Sequence, residues 1–500
     1  MLFNSYIFLF LFLPLALAGW FGLHKLQRPE LAKGFISLMS LWFYGYFNPW
    51  YLLIILGSIL VNYLLSWLMN YSPGRRTDRF FLLLGITGNL AILFYFKYYD
   101  FFIENINALF RTDFHLKHIL LPLGISFFTF QQLSFIIDRC TRKTGHYSFL
   151  NYLTFVTFFP QLIAGPIVLY KEIIPQLDDP EKRKFRADSF AKGLSLFILG
   201  LSKKVLLADV LALVTNHGFA NTLYLDATST LLVLLAYTFQ IYFDFSGYSD
   251  MAMGLGWMFN LQLPINFNSP YKACSVKELW QRWHITLSRF FITYVYIPLG
   301  GSKKGRARTL GNILLIFILS GLWHGASWTY VAWGTMQGLL VVWDNLGLVG
   351  VYEENTGSGQ SPRIRIPRWL GWAVTFSFFL LSLIFFRSET MSDAFRMFYN
   401  ILFIGNTGYI HKLAASLNLP EFYVIEQAVK LLAPQLMPAV TLILFFLLLA
   451  VCAFILTRNN ARRIVETSRY DSRFCWYITI LFLASLISFS QVSTFIYFNF

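Results

Sequence analysis

Apolar stretches of about 18 or more residues, long enough to cross a bilayer as a helix, recur along this whole 500-residue sequence. Hydrophobic residues make up 56% of the chain and charged residues only 13%, which excludes a soluble protein of this length. The alternation of apolar and polar residues that marks transmembrane strands is absent. The sequence therefore predicts an all-α polytopic membrane protein.

The candidate transmembrane segments follow one another from the first residues to the last. They are 5–22, 35–48, 50–70, 80–98, 117–137, 190–213, 228–246, 310–327, 328–346, 369–386, 437–457 and 474–494. The first carries no Lys or Arg ahead of its apolar run, so we expect an uncleaved span rather than a signal peptide. No half of the chain repeats the other, which disfavours a transporter built from repeats.

Two segments depart from the ordinary pattern of a membrane span. The run 149–169 contains Pro160 and Pro166, which would leave backbone groups without hydrogen bonds in lipid. We expect this run to enter the membrane and return. Lys203 and Lys204 interrupt the segment 190–213 and indicate a break or a protein-lined cavity there.

Basic residues give the chain a net charge of +15, and they lie in short loops between apolar segments. No basic patch interleaves with aromatic residues, so we expect no nucleic-acid partner. We interpret these residues as topology determinants that place loops such as 24–34, 72–79, 171–187 and 458–473 in the cytoplasm. Both termini are then extracytoplasmic.

One membrane-embedded domain, 1–500, is predicted, with N-terminal helices over 1–140, a core over 141–346 and C-terminal helices over 347–500. From Phe245 to Arg308 the hydropathy falls, which indicates a cytoplasm-facing or re-entrant insert. The four cysteines show no spacing typical of a disulfide framework or a metal site, and we expect no metal.

Polar groups in apolar surroundings are the candidate functional residues of a membrane protein. The first cluster is Ser320 to Trp328, where His324 follows a strongly apolar run. On a helix Ser320, His324 and Trp328 share one face, and Gly321 and Gly325 leave room for another helix or a substrate. His324 is either a general base for an alcohol or a histidine hydrogen-bonded between helices.

The second cluster runs from Glu278 to Thr286. Helical spacing pairs Glu278 with Arg282 and Trp280 with His284, but it places Arg282 and His284 on nearly opposite faces. Either a helical Arg282 holds a carboxylate or phosphate while His284 lines another wall, or an irregular segment brings both to one site. The alternative is an interfacial helix with tryptophan anchors.

The third cluster runs from Gln240 to Asp250 and includes Asp244 and Tyr248 at the end of an apolar run. Glycine and serine residues there indicate a helix break. The two carboxylates are either an acid/base pair or cation ligands, or they are structural. In the structural interpretation they form a helix cap and an ion pair with Arg282 or a lysine.

Together these clusters resemble the membrane-bound O-acyltransferase (MBOAT) family, in particular its bacterial alginate, peptidoglycan and cellulose O-acetyltransferases. Matching motifs occur in order along most of the chain. They are Met1 to Ser5, Leu121 to Phe127, Phe159 to Pro166, Tyr242 to Asp250, Trp280 to His284, Gly300 to Ser302, Leu322 to Gly325 and Phe495 to Phe500.

The resemblance implies a ring of about 11–12 transmembrane helices, with re-entrant and amphipathic helices, around a central funnel and tunnel. It also implies that His324 is the family's essential membrane-embedded histidine and His284 its second one. Trp323, Trp280 and Arg282 would line the donor tunnel with Asp244, Tyr248 and Asp250. Ser320 and Asn266 are candidate partners for the developing oxyanion.

The resemblance further implies a bacterial inner membrane location and an acyl-thioester donor, expected to be acetyl-CoA, with no bound cofactor. The stretch 266–308, with Lys272, Lys277, Lys303, Lys304 and Arg306, would attract that anionic donor. The acyl group would reach a hydroxyl through a separate periplasmic partner of the SGNH-hydrolase type. The alternatives are D-alanyl transfer from a carrier protein, and a polytopic transporter or flippase.

Overall fold

The computed structural model describes residues 1–71, 75–142, 147–351, 364–417, 423–491 and 496. Its α-helices are α1 (Leu13–Lys25), α2 (Pro29–Gly45), α3 (Trp50–Tyr71), α4 (Arg75–Leu93), α5 (Tyr99–Phe110), α6 (Ile125–Cys140), α7 (Phe149–Thr157), α8 (Phe159–Leu162), α9 (Tyr170–Asp178), α10 (Ala187–Ser202), α11 (Asp209–Ala220), α12 (Ala227–Met258), α13 (Val276–Arg282), α14 (Ile285–Phe291), α15 (Arg306–His324), α16 (Trp328–Leu346), α17 (Arg368–Arg387), α18 (Met391–Phe403), α19 (Ile410–Ala415), α20 (Tyr423–Leu432), α21 (Met437–Thr457), α22 (Ala461–Thr467) and α23 (Ser472–Ile487). Strands in this part of the chain are confined to one parallel pair, β1 (Val349–Val351) and β2 (Ile364–Ile366).

Within those ranges, seven helical stretches are long and apolar enough to cross a bilayer. They are Phe8–Lys25, Trp50–Met69, Arg76–Phe110, Ala227–Met258, Arg306–His324, Arg368–Arg387 and Pro434–Thr457. Two of these include π-helical turns, Phe8–Phe12 and Phe94–Tyr98, that join consecutive helical segments. The chain is therefore an all-α polytopic membrane protein, as the sequence predicts.

Several other predicted spans are shorter helices. The segment 117–137 becomes a helix only at Ile125, because Pro122 precedes it and Gly124 adopts a left-handed φ of 71°. The resulting α6 has 16 residues, nearly all of them buried, and they include Gln131 and Gln132. A helix enclosed by protein needs neither the length nor the apolar surface of a lipid-facing span.

Two predicted boundaries are wrong. The span predicted over 80–98 ends too early, because α5 continues the helical stretch to Phe110 with no Gly or Pro between 99 and 110. The helix break expected near Gly247 is absent, and α12 runs unbroken to Met258. A Cβ at Gly247 would come within 2.7 Å of the Gly200 carbonyl oxygen, so this glycine permits close helix packing. Within the insert expected from Phe245, non-helical backbone therefore begins only after Met258.

The helix is interrupted in both segments that the sequence marks as unusual, 149–169 and 190–213. Helix α7 ends at Thr157, Phe158 leaves helical geometry with ψ at 110°, and α8 restarts with Pro160 at its first turn. Pro160 thus begins a short buried helix and Pro166 lies in buried irregular backbone, so both are enclosed by protein. At Lys203–Ala208 a π-helical turn separates α10 from α11, and it contains the predicted lysine pair.

The chain folds into two compact units, each made of several separate stretches of sequence. Unit 1 comprises Met1–Ile198, Tyr248–Asn266 and Thr286–Pro298, and unit 2 comprises Leu199–Gly247, Phe267–Ile285 and Leu299–Phe500. The expected division into 1–140, 141–346 and 347–500 stays a prediction.

Buried polar contacts join the helices of unit 1. Lys33 on α2 forms an ion pair of 2.6 Å with Asp178 on α9 and donates to Asn151 on α7 over 2.9 Å. On α6, Gln132 accepts hydrogen bonds from Asn62 on α3 and Tyr152 on α7, at 2.7 and 3.2 Å. These pairs satisfy polar groups that lipid could not satisfy, so they specify which helices are neighbours.

Candidate active site

In unit 2 a hairpin of α15 and α16 carries the candidate histidine. The two helices approach so closely that a Cβ on Gly321 would overlap the Tyr330 carbonyl oxygen, and one on Gly334 would overlap that of Phe317. Gly325 faces the Tyr330 ring in the same way. Small residues four apart permit such contact between membrane helices. The prediction that Gly321 and Gly325 leave room for another helix is confirmed.

His324 is the last residue of α15 and is buried, with 1% of its surface exposed. Its imidazole is enclosed by aromatic rings. The ring centroids of Trp323, Trp333 and Phe386 lie 5.0, 5.2 and 5.3 Å from its own. These three residues, with His324, form what we call the histidine cage, a site that excludes water from the ring.

His284 joins this cage from a different element. Helix α13 ends at Arg282, Trp283 is extended, and His284 adopts a left-handed φ of 45°. The turn places its ring centroid 6.4 Å from that of His324 and 5.9 Å from that of Trp323. The helical pairing of Trp280 with His284 is therefore wrong, and the segment is irregular after Arg282. That irregular backbone brings His284 to His324, whereas Arg282 stays on α13 in its ion pair with Glu278. A non-glycine residue in this conformation is strained and is common at functional sites.

Trp280 supports the cage from α13. Its indole N–H donates to the Gln337 side-chain oxygen over 3.2 Å, and the Gln337 amide donates to the Ser382 hydroxyl over 2.8 Å. The Trp280 ring also packs 5.7 Å from that of Trp333. This chain of side chains connects α13, α16 and α17 around the two histidines. Sequence reasoning missed Gln337, although an amide inside an apolar helix is a signal that could have found it.

Arg282 forms the predicted ion pair with Glu278, at 2.7 Å. The other carboxylate oxygen of Glu278 accepts from the Cys274 backbone N–H over 2.8 Å, and the Ser275 hydroxyl caps the helix. Both charged side chains are about one third exposed. The structure thus engages Arg282 in holding the short helix α13 together.

Asp244 lies inside α12, so its predicted role as a helix cap is wrong. Its carboxylate forms a 2.7 Å ion pair with Lys204, which also pairs with Asp209 at 2.6 Å, and all three are buried. Its second oxygen accepts from the Ile496 backbone N–H over 2.8 Å. The ion pair with a lysine matches the structural alternative, and the partner is Lys204 instead of Arg282. Apart from Ile496, the motif 495–500 lies outside the described residues.

Three predicted site residues belong to unit 1. The Asn266 side-chain oxygen accepts from the Thr286 hydroxyl over 2.9 Å, and that hydroxyl accepts from the Ile167 N–H over 3.0 Å. Asn266 therefore holds the segment that follows His284 in sequence. Tyr248 is buried and stacks on Phe3 at 4.9 Å, and Asp250 is buried.

The two remaining residues of the first cluster, Ser320 and Trp328, lie in different surroundings. Ser320 is buried one helical turn before His324, on the same face of α15. Trp328 begins α16 after a break at Gly325 and is 57% exposed. The expectation that Trp328 shares the His324 face is wrong, because the glycine-mediated turn between the helices interrupts the helical register.

Unit 2 contains a cleft of about 730 Å³ at the short helix α13 and the first turns of α17, and we call it the α13 cleft. Its lining combines apolar, charged and hydroxyl side chains. They include Ser275, Lys277, Glu278, Gln281, Leu340, Trp343, Asp344, Val351, Arg368, Val374 and Thr375. Trp280 does not line the cleft but lies on α13 between two residues that do, Glu278 and Gln281. Its ring contacts that of Trp333, which contacts His324, so α13 connects the cleft with the catalytic candidate.

The basic residues expected to attract an anionic donor have different positions. Lys277 lines the α13 cleft and donates to Asn345 over 3.1 Å. The Lys272 amine instead donates to the Thr457 and Arg458 carbonyls, and Arg306 donates to the Leu346 carbonyl. These carbonyls lie at helix C-termini, where cations stabilise the helix end. Lys303 and Lys304 are exposed.

Comparison with known proteins adds independent findings. The family model of the membrane-bound O-acyltransferase family, MBOAT, matches residues 117–351. The chain is similar to the peptidoglycan O-acetyltransferase of Helicobacter pylori, at 35% identity over 100% of this chain and 98% of that protein. It is also similar to the probable alginate O-acetylase AlgI of Pseudomonas aeruginosa, at 38% identity over 83% of this chain and 77% of that one. The teichoic acid D-alanyltransferase of Streptococcus thermophilus matches at 28% identity over 53% of this chain and 68% of its own.

Proposed function

The chain belongs to the membrane-bound O-acyltransferase family, and from that premise we propose that it moves an acetyl group across the membrane. The donor is a cytoplasmic thioester, acetyl-CoA, and the acceptor is a hydroxyl on the extracytoplasmic side. The product is an O-acetylated cell-surface polysaccharide. The observation that supports this proposal most strongly is the approach of His284 to His324 inside the histidine cage.

The chemistry requires one base near a hydroxyl and a thioester. In this proposal neutral His324 takes the proton from the acceptor hydroxyl while that oxygen attacks the thioester carbonyl carbon. The C–S bond of the resulting intermediate breaks, and the departing thiolate receives the proton from His324. An ester and a free thiol remain, so the histidine ends each turnover as it began. The buried cage keeps water from hydrolysing the thioester.

His284 is assigned a positioning role. Its strained backbone and its contacts with Trp323 and Phe245 hold its ring at a fixed separation from His324. A reacting group held at both rings would meet two imidazoles from two different elements. A hydrogen bond from His284 to the reacting oxygen would stabilise the developing charge. Ser320, one turn from His324, is the second candidate for that role.

The donor would enter through the α13 cleft. Thr375 in the cleft and Phe386 in the cage both lie on α17, eleven positions apart, which corresponds to about 16 Å of helix. A thioester must therefore reach the histidine at the end of a long arm. Acyl-CoA carries such an arm, and Lys277 and Arg368 at the cleft provide cations for its phosphates. A carrier protein with the same arm is the alternative donor.

The acceptor is proposed to be a peptidoglycan-type polysaccharide, reached through a separate SGNH-type partner protein. Support comes from the Helicobacter relative, which aligns over 100% of this chain and 98% of its own length, whereas the alginate relative matches 83% of this chain and 77% of its own. In this proposal the α13 cleft faces the cytoplasm and the far end of α17 faces outward from a bacterial inner membrane. The basic loop 350–368, next to the cleft in sequence, supports that orientation.

The test uses the full chain in proteoliposomes with acetyl-CoA labelled in the acetyl group. We expect label on an added SGNH-type partner, or on its polysaccharide, and none without this chain. Labelled D-alanyl carrier protein is supplied in a parallel reaction. Transfer from the carrier and none from acetyl-CoA would overturn the proposed donor, and transfer from neither would overturn the proposed function.

A further inference from the structure

Unit 2 contains a second cavity, of about 470 Å³, that the acyl-transfer step does not use. It lies between the end of α11 and the junction of α17 with α18. We call it the Arg387 cavity, and its lining includes Asn216, Phe219, Tyr224, Arg387, Glu389 and Asp393. Its volume falls in the range of small-molecule sites.

The cavity begins next to the histidine cage. Phe386, whose ring lies 5.3 Å from that of His324, immediately precedes Arg387 at the end of α17. The start of α17 follows the basic loop 350–368 in sequence and lines the α13 cleft. Because α17 is 20 residues long, the two openings lie at ends of one helix about 30 Å apart. The positive-inside rule then places the Arg387 cavity on the extracytoplasmic side.

The polar groups of the cavity are arranged for recognition. The Arg387 guanidinium donates to the Asn216 side-chain oxygen over 3.1 Å and lies 5.4 Å from the Phe219 ring centroid. These contacts hold it as a fixed planar donor. Ser388 is only 6% exposed, and its hydroxyl has no hydrogen-bond partner within the described part of the chain. A buried hydroxyl at a cavity wall without a partner indicates that a ligand supplies one.

The charge and the rim of the cavity narrow the ligand class. One cation, Arg387, faces two carboxylates, Glu389 and Asp393, so the lining is net acidic. At the rim Tyr224 is 66% exposed. Carboxylates, an amide and a guanidinium match the hydroxyl groups of a sugar, and an exposed aromatic ring matches its apolar face. An acidic lining repels a polyanion.

We propose that the Arg387 cavity binds a neutral oligosaccharide segment of the acceptor polymer and holds it beside the acyl exit. The inference rests on the proposed function only for the statement that the ligand is the polymer being acetylated. It adds to the proposed function that the polymer bound in the Arg387 cavity is not a uronate polymer. A segment of a partner protein is the competing occupant.

The experiment measures binding to the purified full chain in nanodiscs without any acyl donor. The probes are a β-1,4-linked N-acetylglucosamine tetramer, which is neutral, and a mannuronate tetramer, which carries four carboxylates. We expect saturable binding of the neutral probe and at least tenfold weaker binding of the uronate. The double variant Tyr224→Ala/Glu389→Gln should weaken the neutral probe on the order of tenfold through the lost ring contact and charge-assisted hydrogen bond.

The matched control is Trp476→Ala/Glu104→Gln, which removes an exposed aromatic ring and an exposed carboxylate from outside the cavity. It should bind as the unchanged chain does. Equal affinity for both probes, or an unchanged affinity in the cavity variant, would overturn the proposal. So would absence of saccharide binding together with a partner protein cross-linked at residue 224.

This test is independent of catalysis. The variant His324→Ala should bind the neutral tetramer with unchanged affinity while it transfers no acetyl group. Binding that persists in a chain with no acyltransferase activity would leave the cavity assignment standing while the proposed function fails. Acetyl transfer by a chain that binds no saccharide would overturn the cavity assignment and leave the proposed function standing. Retained helical circular dichroism in each variant shows that it has folded.

Discussion

The imidazole rings of His284 and His324 lie 6.4 Å apart between their centroids, and both contact the indole of Trp323. One ring is supplied by the end of a transmembrane helix and the other by a left-handed turn after a short helix. Neither element would place its histidine there alone. The site therefore depends equally on the glycine-packed hairpin and on the turn at residue 284.

Substitutions at His284 separate the role of its ring from that of its backbone. His284→Asn removes the imidazole but keeps a residue type that tolerates positive φ, so we expect a folded protein with reduced acetyl transfer. His284→Val adds β-branching at the same φ and should lower the free energy of unfolding by a further ~1–2 kcal/mol. Thermal unfolding and transfer rate measure the two effects. Equal stability of both variants would contradict the strained-turn interpretation.

A matched pair of glycines tests the α15–α16 packing. Gly321→Ala should destabilise the protein by about 1–3 kcal/mol, because the new Cβ overlaps the Tyr330 carbonyl oxygen. Gly311 lies on the same helix, and a Cβ added there would have no neighbouring atom within 4 Å. Gly311→Ala should therefore be neutral or stabilising by up to ~1 kcal/mol. Thermal unfolding in detergent compares them, and similar unfolding temperatures would contradict the close contact.

The buried ion cluster gives a third prediction. Lys204→Met leaves Asp209 and Asp244 as buried carboxylates without their cation, and should cost about 3–5 kcal/mol of stability. Lys192→Met on α10, which breaks a more exposed pair with Asp188, should cost less than ~1 kcal/mol. Adding Asp209→Asn and Asp244→Asn should restore part of the loss in the first variant. An unfolding temperature unaffected by Lys204→Met would contradict the assignment.

Lys277 tests the proposed donor cleft. Lys277→Glu should raise the KM for acetyl-CoA several-fold with little change in kcat, because it reverses a charge that lines the cleft without touching the histidine cage. The control Lys303→Glu makes the same charge change at an exposed position that does not line this cleft. The difference in KM between the two variants should become smaller at high salt, because salt screens the charge at residue 277. An equal rise in KM for both variants would indicate a general charge effect only.

Hydropathy and motifs predicted different parts of the molecule with different success. The segment 437–457 coincides with α21, because a lipid-facing helix is specified by its own composition. The continuation of α12 past Gly247 could not be predicted, because a glycine in isolation favours a break. Only the structure shows that Gly247 lacks a side chain because the Gly200 carbonyl of the neighbouring helix packs against it.

Among the site residues, too, some could be predicted from the sequence and others could not. His324 and His284 stand out in sequence because polar residues are rare in such apolar surroundings. Trp333 and Phe386, which complete the cage, are aromatic residues among many others, and only the tertiary arrangement distinguishes them. The left-handed turn at His284 was equally hidden, because helical spacing over 278–286 looks regular in the sequence.

The central claim is that His324 is the base for acyl transfer, and the most direct measurement is the transfer of labelled acetyl groups by His324→Ala. We expect the rate to fall by about 10²–10⁴-fold with unchanged folding, because a general base contributes that much to proton transfer. His115→Ala, at an exposed histidine, should retain full activity. A folded His324→Ala protein that transfers acetyl groups at the unaltered rate would contradict the account.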